Sequence, residues 1–148
     1  MRVSRVIPHK ELSAGVVVVH DDGGLYRLLA VRSFDQWDFP KAPVAADADP
    51  LQTAMRELED ATGISEPALH WGEDYRETVP YDDGRVSRYY LAQASDNEVA
   101  LRVPPGEAAE DYGYRWVSAM EAEDVLPPRL ALVLDWVVAR LAGGHLAR

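Results

Sequence analysis

An α/β sandwich is the fold class that this sequence predicts, and three observations predict it. The chain has 148 residues, 47 % of them apolar and 27 % charged, which is one domain's worth (1–148) with enough hydrophobic content to bury a core. Strand-like β-branched runs alternate with capped segments of helical periodicity. No linker, internal repeat or low-complexity tract divides them, so the mixed elements belong in one layered unit.

The elements follow in order. Ser13 to His20 is almost continuously β-branched and closes on Asp21-Asp22-Gly23-Gly24, after which Leu25 to Arg32 is a second apolar run; together they read as a hairpin. Trp37-Asp38-Phe39 alternates as a strand end and stops at Pro40, and Ala42 to Asp49 has loop composition. Asp49 offers an N-cap, Pro50 suits the first helical position, and Gln52 completes a capping-box spacing. Leu51, Ala54, Met55, Leu58 and Thr62 form the buried stripe of that helix, and Gly63 ends it. Strands are expected at Ala68–Trp71, Tyr75–Val79, Arg85–Ala94 and Tyr112–Val117. Ser118 and Glu121 repeat the capping box before a short helix. Pro127-Pro128 then precede a strongly apolar helix from Leu130 to Leu141, ended by Gly143-Gly144.

Charge and composition exclude several function classes. Asp and Glu number 25 against 15 Lys and Arg, a net charge of −10 that repels a phosphate backbone, so general nucleic-acid binding is not expected. Small nucleotides remain open, because metal ions can gather carboxylates around phosphates. With no cysteine, disulfides, thiolate zinc sites and cysteine nucleophiles are all absent. The apolar run Ala14–Val19 is too short to span a membrane and Met1–Lys10 has no apolar signal core, so a cytoplasmic location is the expectation. His9, His20, His70 and His145 share no spacing and receive no role.

The densest chemistry is Arg56-Glu57-Leu58-Glu59-Asp60-Ala61-Thr62-Gly63. At about 100° per residue, Glu57 and Asp60 fall about 60° apart on one flank of the apolar stripe, and Glu59 falls on the other. Two carboxylates one turn apart suit Mg²⁺ or Mn²⁺, which take oxygen ligands and keep waters for substrate phosphates. The same pair also reads as an ordinary solvated helix face.

Trp37-Asp38-Phe39-Pro40-Lys41, a loop, Thr53-Ala54-Met55-Arg56-Glu57-Leu58 and Thr62-Gly63-Ile64 resemble a Nudix box. Arg56, Glu57, Leu58, Gly63 and Ile64 match the family pattern and Asp60 is a conservative replacement. Ala42 stands at its first Gly, Ala48 at its first Glu and Ala61 at the second Glu of its acidic pair, so the box is degenerate. If the turn at Ala42 needs positive φ, its Cβ is costly. Ser13-Ala14-Gly15, Tyr75 to Tyr81 and Tyr114-Arg115-Trp116 extend the likeness towards the diadenosine tetraphosphate hydrolase branch.

That resemblance implies a Nudix α/β/α sandwich with a mixed central sheet. It implies Mg²⁺- or Mn²⁺-dependent attack of water on a nucleoside diphosphate-linked compound such as a dinucleoside polyphosphate. Glu57 and Glu110 are the implied catalytic residues; Glu57, Asp60 and Glu110 the implied metal ligands, with Glu107 and Asp111 as alternative counterparts of Glu110. Lys41, one of two lysines, becomes a polyphosphate clamp. Tyr81 is either a base-stacking surface or a half-buried strand aromatic. Arg56 orients the catalytic Glu57. Two readings stay open: a hydrolase of low or altered activity, or a non-catalytic module of the same fold binding a nucleotide or a protein partner.

Overall fold

The apolar run near the start becomes a central strand buried on both faces. The computed structural model describes residues 11–143; Gly144, His9 and His145 lie outside them. β1 (Leu12–Asp22) pairs antiparallel with β2 (Leu25–Ser33) and parallel with β6 (Val86–Gln93). Its alternate residues enter two separate cores, Val17 and Val19 on one side and Ala14, Val16 and Val18 on the other, as the period of two in a strand requires. The hairpin turn is Gly23-Gly24 with φ of 66° and 97°, positive at both positions as right-twisted strands demand.

The sheet runs β3 (Gln36–Asp38), β2, β1, β6 and β5 (Tyr75–Glu77), while β4 (Lys41–Pro43) pairs with β1 and β7 (Tyr112–Val117) with β2. Among the described residues only the β1–β6 pairing is parallel, so the sheet is mixed. α1 (Pro50–Thr62) packs Ala54 and Leu58 on one face. On the other, α2 (Ala119–Val125) and α3 (Ala131–Gly143) bring Ala122, Val133 and Val137 against Val17, Leu28 and Leu91. This is the expected α/β/α sandwich. Full burial of each Val or Leu contributes about 1.5–3 kcal/mol, so the two layers hold the helices more firmly than propensity does.

Both N-caps form, but of the two expected capping boxes only that of α2 is reciprocal. Asp49 Oδ2 accepts from the Gln52 amide at 2.9 Å, and α1 ends at Gly63 in the left-handed region. Ser118 and Glu121 complete a reciprocal capping box at α2.

Two expectations are corrected. The segment assigned to a loop from Ala42 begins with a strand residue pair, because Lys41–Pro43 finds the backbone of Ser13–Gly15. Ala68–Trp71 is not a strand: Ala68 makes one bridge to Gln93, and the chain then turns, with the Gly72 amide donating to Leu69. That turn carries the Trp71 ring into the core beside Tyr26, at 6.0 Å between centroids.

Candidate functional site

A cleft of about 530 Å³ opens where β3, β4, α1, the turn after β5 and the start of α3 converge. Gly15 makes its floor possible. A Cβ there would overlap the Pro40 carbonyl oxygen, which accepts from the Val16 amide at 3.3 Å, so only glycine lets Pro40 and Lys41 lie this close to β1. Tyr81 enters from a tight turn closed by paired backbone bonds to Arg85, in which Asp82, Asp83 and Gly84 all carry positive φ. Asp and Gly are the residue types that tolerate that conformation. Arg129 comes from the 3₁₀ turn Pro128–Leu130 that leads into α3.

These residues converge on Asp38. Its Oδ1 accepts from the Phe39 amide and the Tyr89 hydroxyl, both at 2.7 Å. Its Oδ2 takes Lys41 Nζ at 3.0 Å and Arg129 Nη2 at 2.8 Å. Lys41 Nζ also donates to Tyr81 Oη at 2.9 Å, and Tyr81 Oη lies 2.6 Å from Ser87 Oγ. The Arg129 guanidinium sits 4.8 Å from the Tyr81 ring centroid and Lys41 Nζ 5.4 Å. One carboxylate thus holds two cations against one aromatic ring.

Charge within the cleft is the reverse of the whole chain. Arg32, Lys41, Arg85, Arg102 and Arg129 line it against Asp38, Glu57 and Asp82, an excess of cations in a protein of net charge −10. Such local focusing attracts anions despite the overall repulsion. Burial opposes ionisation of Tyr81, but its bonds to Lys41 and Ser87 and the charges of Lys41 and Arg129 outweigh that and hold the phenol below its usual value. Burial, and then repulsion from Asp60, push the Glu57 carboxyl up, with Arg102 opposing.

The structure brings Lys41 and Tyr81 into direct contact and puts Glu57 in the same cleft. Asp60 lies near enough to raise Glu57 but is itself exposed, as is Arg56. Glu110 is exposed in the 3₁₀ turn Ala109–Asp111, where its carbonyl accepts from Arg32 Nη2 at 3.2 Å. The Glu107 carboxylate is taken by the Tyr112 hydroxyl at 2.9 Å. Among the described residues no three acidic or histidine groups gather as a metal would require, so the implied trio of Glu57, Asp60 and Glu110 is not assembled. The two acidic groups that do act on each other are Glu57 and Asp60, one turn apart on α1, and of these only Glu57 lines the cleft.

Of the alanines at acidic box positions, Ala61 lines the cleft and Ala48 closes a turn onto the Ala45 carbonyl. Ala42 pairs with Ala14 inside β4 and is not among the residues with positive φ, so its Cβ meets no backbone penalty. Sequence reasoning missed Asp38, Arg129 and Arg102. An acid alone between two aromatics in a strand was the signal for Asp38. Nothing local marked the two arginines.

The model of the NUDIX domain matches residues 9–137, and the chain belongs to that family. Its relatives support the diadenosine tetraphosphate hydrolase-like branch. A pig bis(5'-nucleosyl)-tetraphosphatase [asymmetrical] is 31 % identical over 98 residues, which is 64 % of this chain and 64 % of that protein; the chain thus spans somewhat under two thirds of the length of that relative. An RNA pyrophosphohydrolase of Saccharophagus degradans is 24 % identical over 119 residues, 72 % of this chain and 70 % of that protein. The crystal structure of a C. elegans Ap4A hydrolase binary complex superposes with a TM-score of 0.76 at 21 % identity, covering 90 % of this chain and 98 % of that one. Among the described residues no helix is long and apolar enough to cross a membrane.

Proposed function

We propose that the cleft binds the polyphosphate of a nucleoside diphosphate-linked compound, such as a dinucleoside polyphosphate, and hydrolyses it slowly. The observation that carries this reading is the pair of cations, Lys41 and Arg129, held 3.0 and 2.8 Å from the one Asp38 carboxylate inside a cation-rich cleft. Asp38 orients both cations without consuming all their donors, since an ammonium has three N–H groups and a guanidinium five. Tyr81 adds its hydroxyl to the same cluster. Arginine and lysine together suit a chain of phosphates, the one through a planar fork and the other as a point charge.

Glu57, with Asp60 beside it, is the proposed holder of Mg²⁺ or Mn²⁺, and Glu57 the carboxylate nearest the chemistry; Glu110 would act only if its turn approached the cleft. When bound, the ion supplies charge neutralisation and an acidified water. Arg56, exposed on α1, is the proposed partner that orients Glu57. Loss of one preorganised electrostatic group from an active site, such as an oxyanion-hole donor, costs on the order of 10²–10³ in rate; a missing carboxylate at Ala61 within the cleft is a comparable loss and favours slow turnover. The same alanine supports the second reading, a non-catalytic nucleotide-binding module.

The deciding experiment pairs calorimetric binding of a dinucleoside polyphosphate with metal-dependent hydrolysis of dinucleoside polyphosphates, nucleotide sugars and nucleoside triphosphates. Binding with turnover lost in Glu57→Gln supports the hydrolase. Binding without turnover under Mg²⁺ and Mn²⁺ supports the module. No binding refutes both.

A further inference from the structure

Four of the five cations that line the cleft are committed to acceptors of the protein itself. Lys41 and Arg129 share the Asp38 carboxylate, Arg85 lies 3.5 Å from Glu11, and Arg32 donates to the Phe34 and Glu110 carbonyls. Arg102 lines the same cleft, is exposed, and makes no side-chain hydrogen bond or ion pair with another described residue. Its backbone puts it there. The last carbonyls of a helix lack intrahelical partners, and at the end of α1 the Thr62 carbonyl accepts from the Ala100 amide at 2.8 Å and the Ala61 carbonyl from the Arg102 amide at 2.9 Å. Residues 100–102 are thereby pinned along the last turn of the helix. Arg102 stands beside Ala61, and its charge is near enough to Glu57 to favour that carboxylate.

Ala61 occupies the position where the family pattern has the second acid of its pair, and Glu57, Ala61 and Arg102 line the cleft together. A carboxylate at position 61 would engage the neighbouring guanidinium. A methyl group leaves its five N–H donors to whatever enters the cleft.

We propose that Arg102 is a built-in cation for the phosphates at the place where the lost carboxylate would have helped to recruit a metal ion, so that the cleft captures polyphosphate without a divalent ion. The proposal rests on the anion-binding reading of the cleft and deepens it by separating capture of the ligand from metal. A hard divalent ion needs a set of oxygen ligands, and in the cleft beside Arg102 that set is reduced to Glu57. A guanidinium needs no ligand set, is always charged, and presents a planar fork that matches two phosphate oxygens. Lys41 and Arg129 act from β4 and the start of α3, and Arg102 from the end of α1, so an extended anion meets cations at separate points. Metal held by Glu57 and Asp60 then serves turnover and not capture.

The test is calorimetric titration of inorganic tripolyphosphate into the full chain in excess chelator, repeated with Mg²⁺. The natural protein should bind in chelator, and Arg102→Met should lose about five- to tenfold in that affinity, the range of one charge-assisted contact. Arg102→Lys should keep more of it, since the charge remains where the fork is lost. Ala61→Glu should also weaken binding in chelator, because the new carboxylate takes the guanidinium. Mg²⁺ should restore more affinity to Arg102→Met than it adds to the natural protein, a gain that a merely structural role would not give. Arg27→Met, which removes a cation paired with Asp22 beside the β1–β2 turn, should leave the affinity unchanged. If Arg102→Met binds as the natural protein does while Arg129→Met is weakened, the role of Arg102 is overturned and the anion site stands. Binding by the natural protein only with Mg²⁺ overturns it as well. No binding in either condition brings down the reading of the cleft and Arg102 with it.

Discussion

Asp38→Asn is the substitution that most directly tests how the cleft is held. The amide keeps the shape of the carboxylate and can still accept from the Phe39 amide and the Tyr89 hydroxyl through one oxygen. On the other side an NH₂ group replaces the oxygen that lies 3.0 Å from Lys41 Nζ and 2.8 Å from Arg129 Nη2, so two charge-assisted bonds become donor-to-donor contacts. The Asp38 side chain is 15 % exposed, those of Lys41 and Arg129 23 % and 26 %. Fully buried pairs lose about 3–5 kcal/mol when one partner is removed, and single bonds to charged groups about 1.5–3. Partial exposure brings the expected loss to about 2–4 kcal/mol. For a chain of this size that lowers Tm by about 5–15 °C, readable by differential scanning calorimetry. The sign of a second change separates this account from simple loss of shape. In the Asp38→Asn background Lys41→Met should recover part of the stability, because an uncompensated cation has gone, whereas in the natural protein it should only destabilise. A Tm change under 2 °C in Asp38→Asn, or additive losses in the double variant, would refute the reasoning.

Other outcomes follow from the same geometry. Gly15→Ala should lose about 1–3 kcal/mol, since its Cβ would drive the Pro40 carbonyl away and carry Lys41 with it; thermal unfolding and tripolyphosphate binding should both fall. In an alkaline titration followed by phenolate absorbance, Tyr81→Phe should delete a component below the usual tyrosine value, and the buried Tyr89 should ionise well above it. The sign for stability follows: a depressed phenol adds stability at high pH that is lost as pH falls through its folded value, so the advantage of the natural protein over Tyr81→Phe should grow as pH rises towards about 10. Ala61→Glu, which puts a third carboxylate four residues beyond Glu57 and facing the cleft, should tighten Mn²⁺ binding by calorimetry, while Glu57→Gln should weaken it and Glu59→Gln leave it unchanged.

Local chemistry determined a large part of this protein before any tertiary contact was known. The hairpin is written in β-branched residues and Gly23-Gly24, α1 in Asp49, Pro50 and Gly63, and α2 in Ser118 and Glu121. The position of Glu57 and Asp60 on one flank of α1 also needed nothing beyond helical period. Those features depend on neighbours a few residues away, which is the range over which periodicity and capping act. Lys41–Pro43 became a strand only because Ser13–Gly15 offered a free backbone edge, and Ala68–Trp71 failed to become one because the Trp71 ring had a core to enter. The cleft was decided the same way. Asp38, Tyr81 and Arg129 meet across separations of 40 residues and more, so that the charge of one carboxylate is shared between cations from β4 and from the start of α3. Coulomb energy and hydrogen bonding depend on distance in space, and only the packed sheet and its two helical layers set that distance.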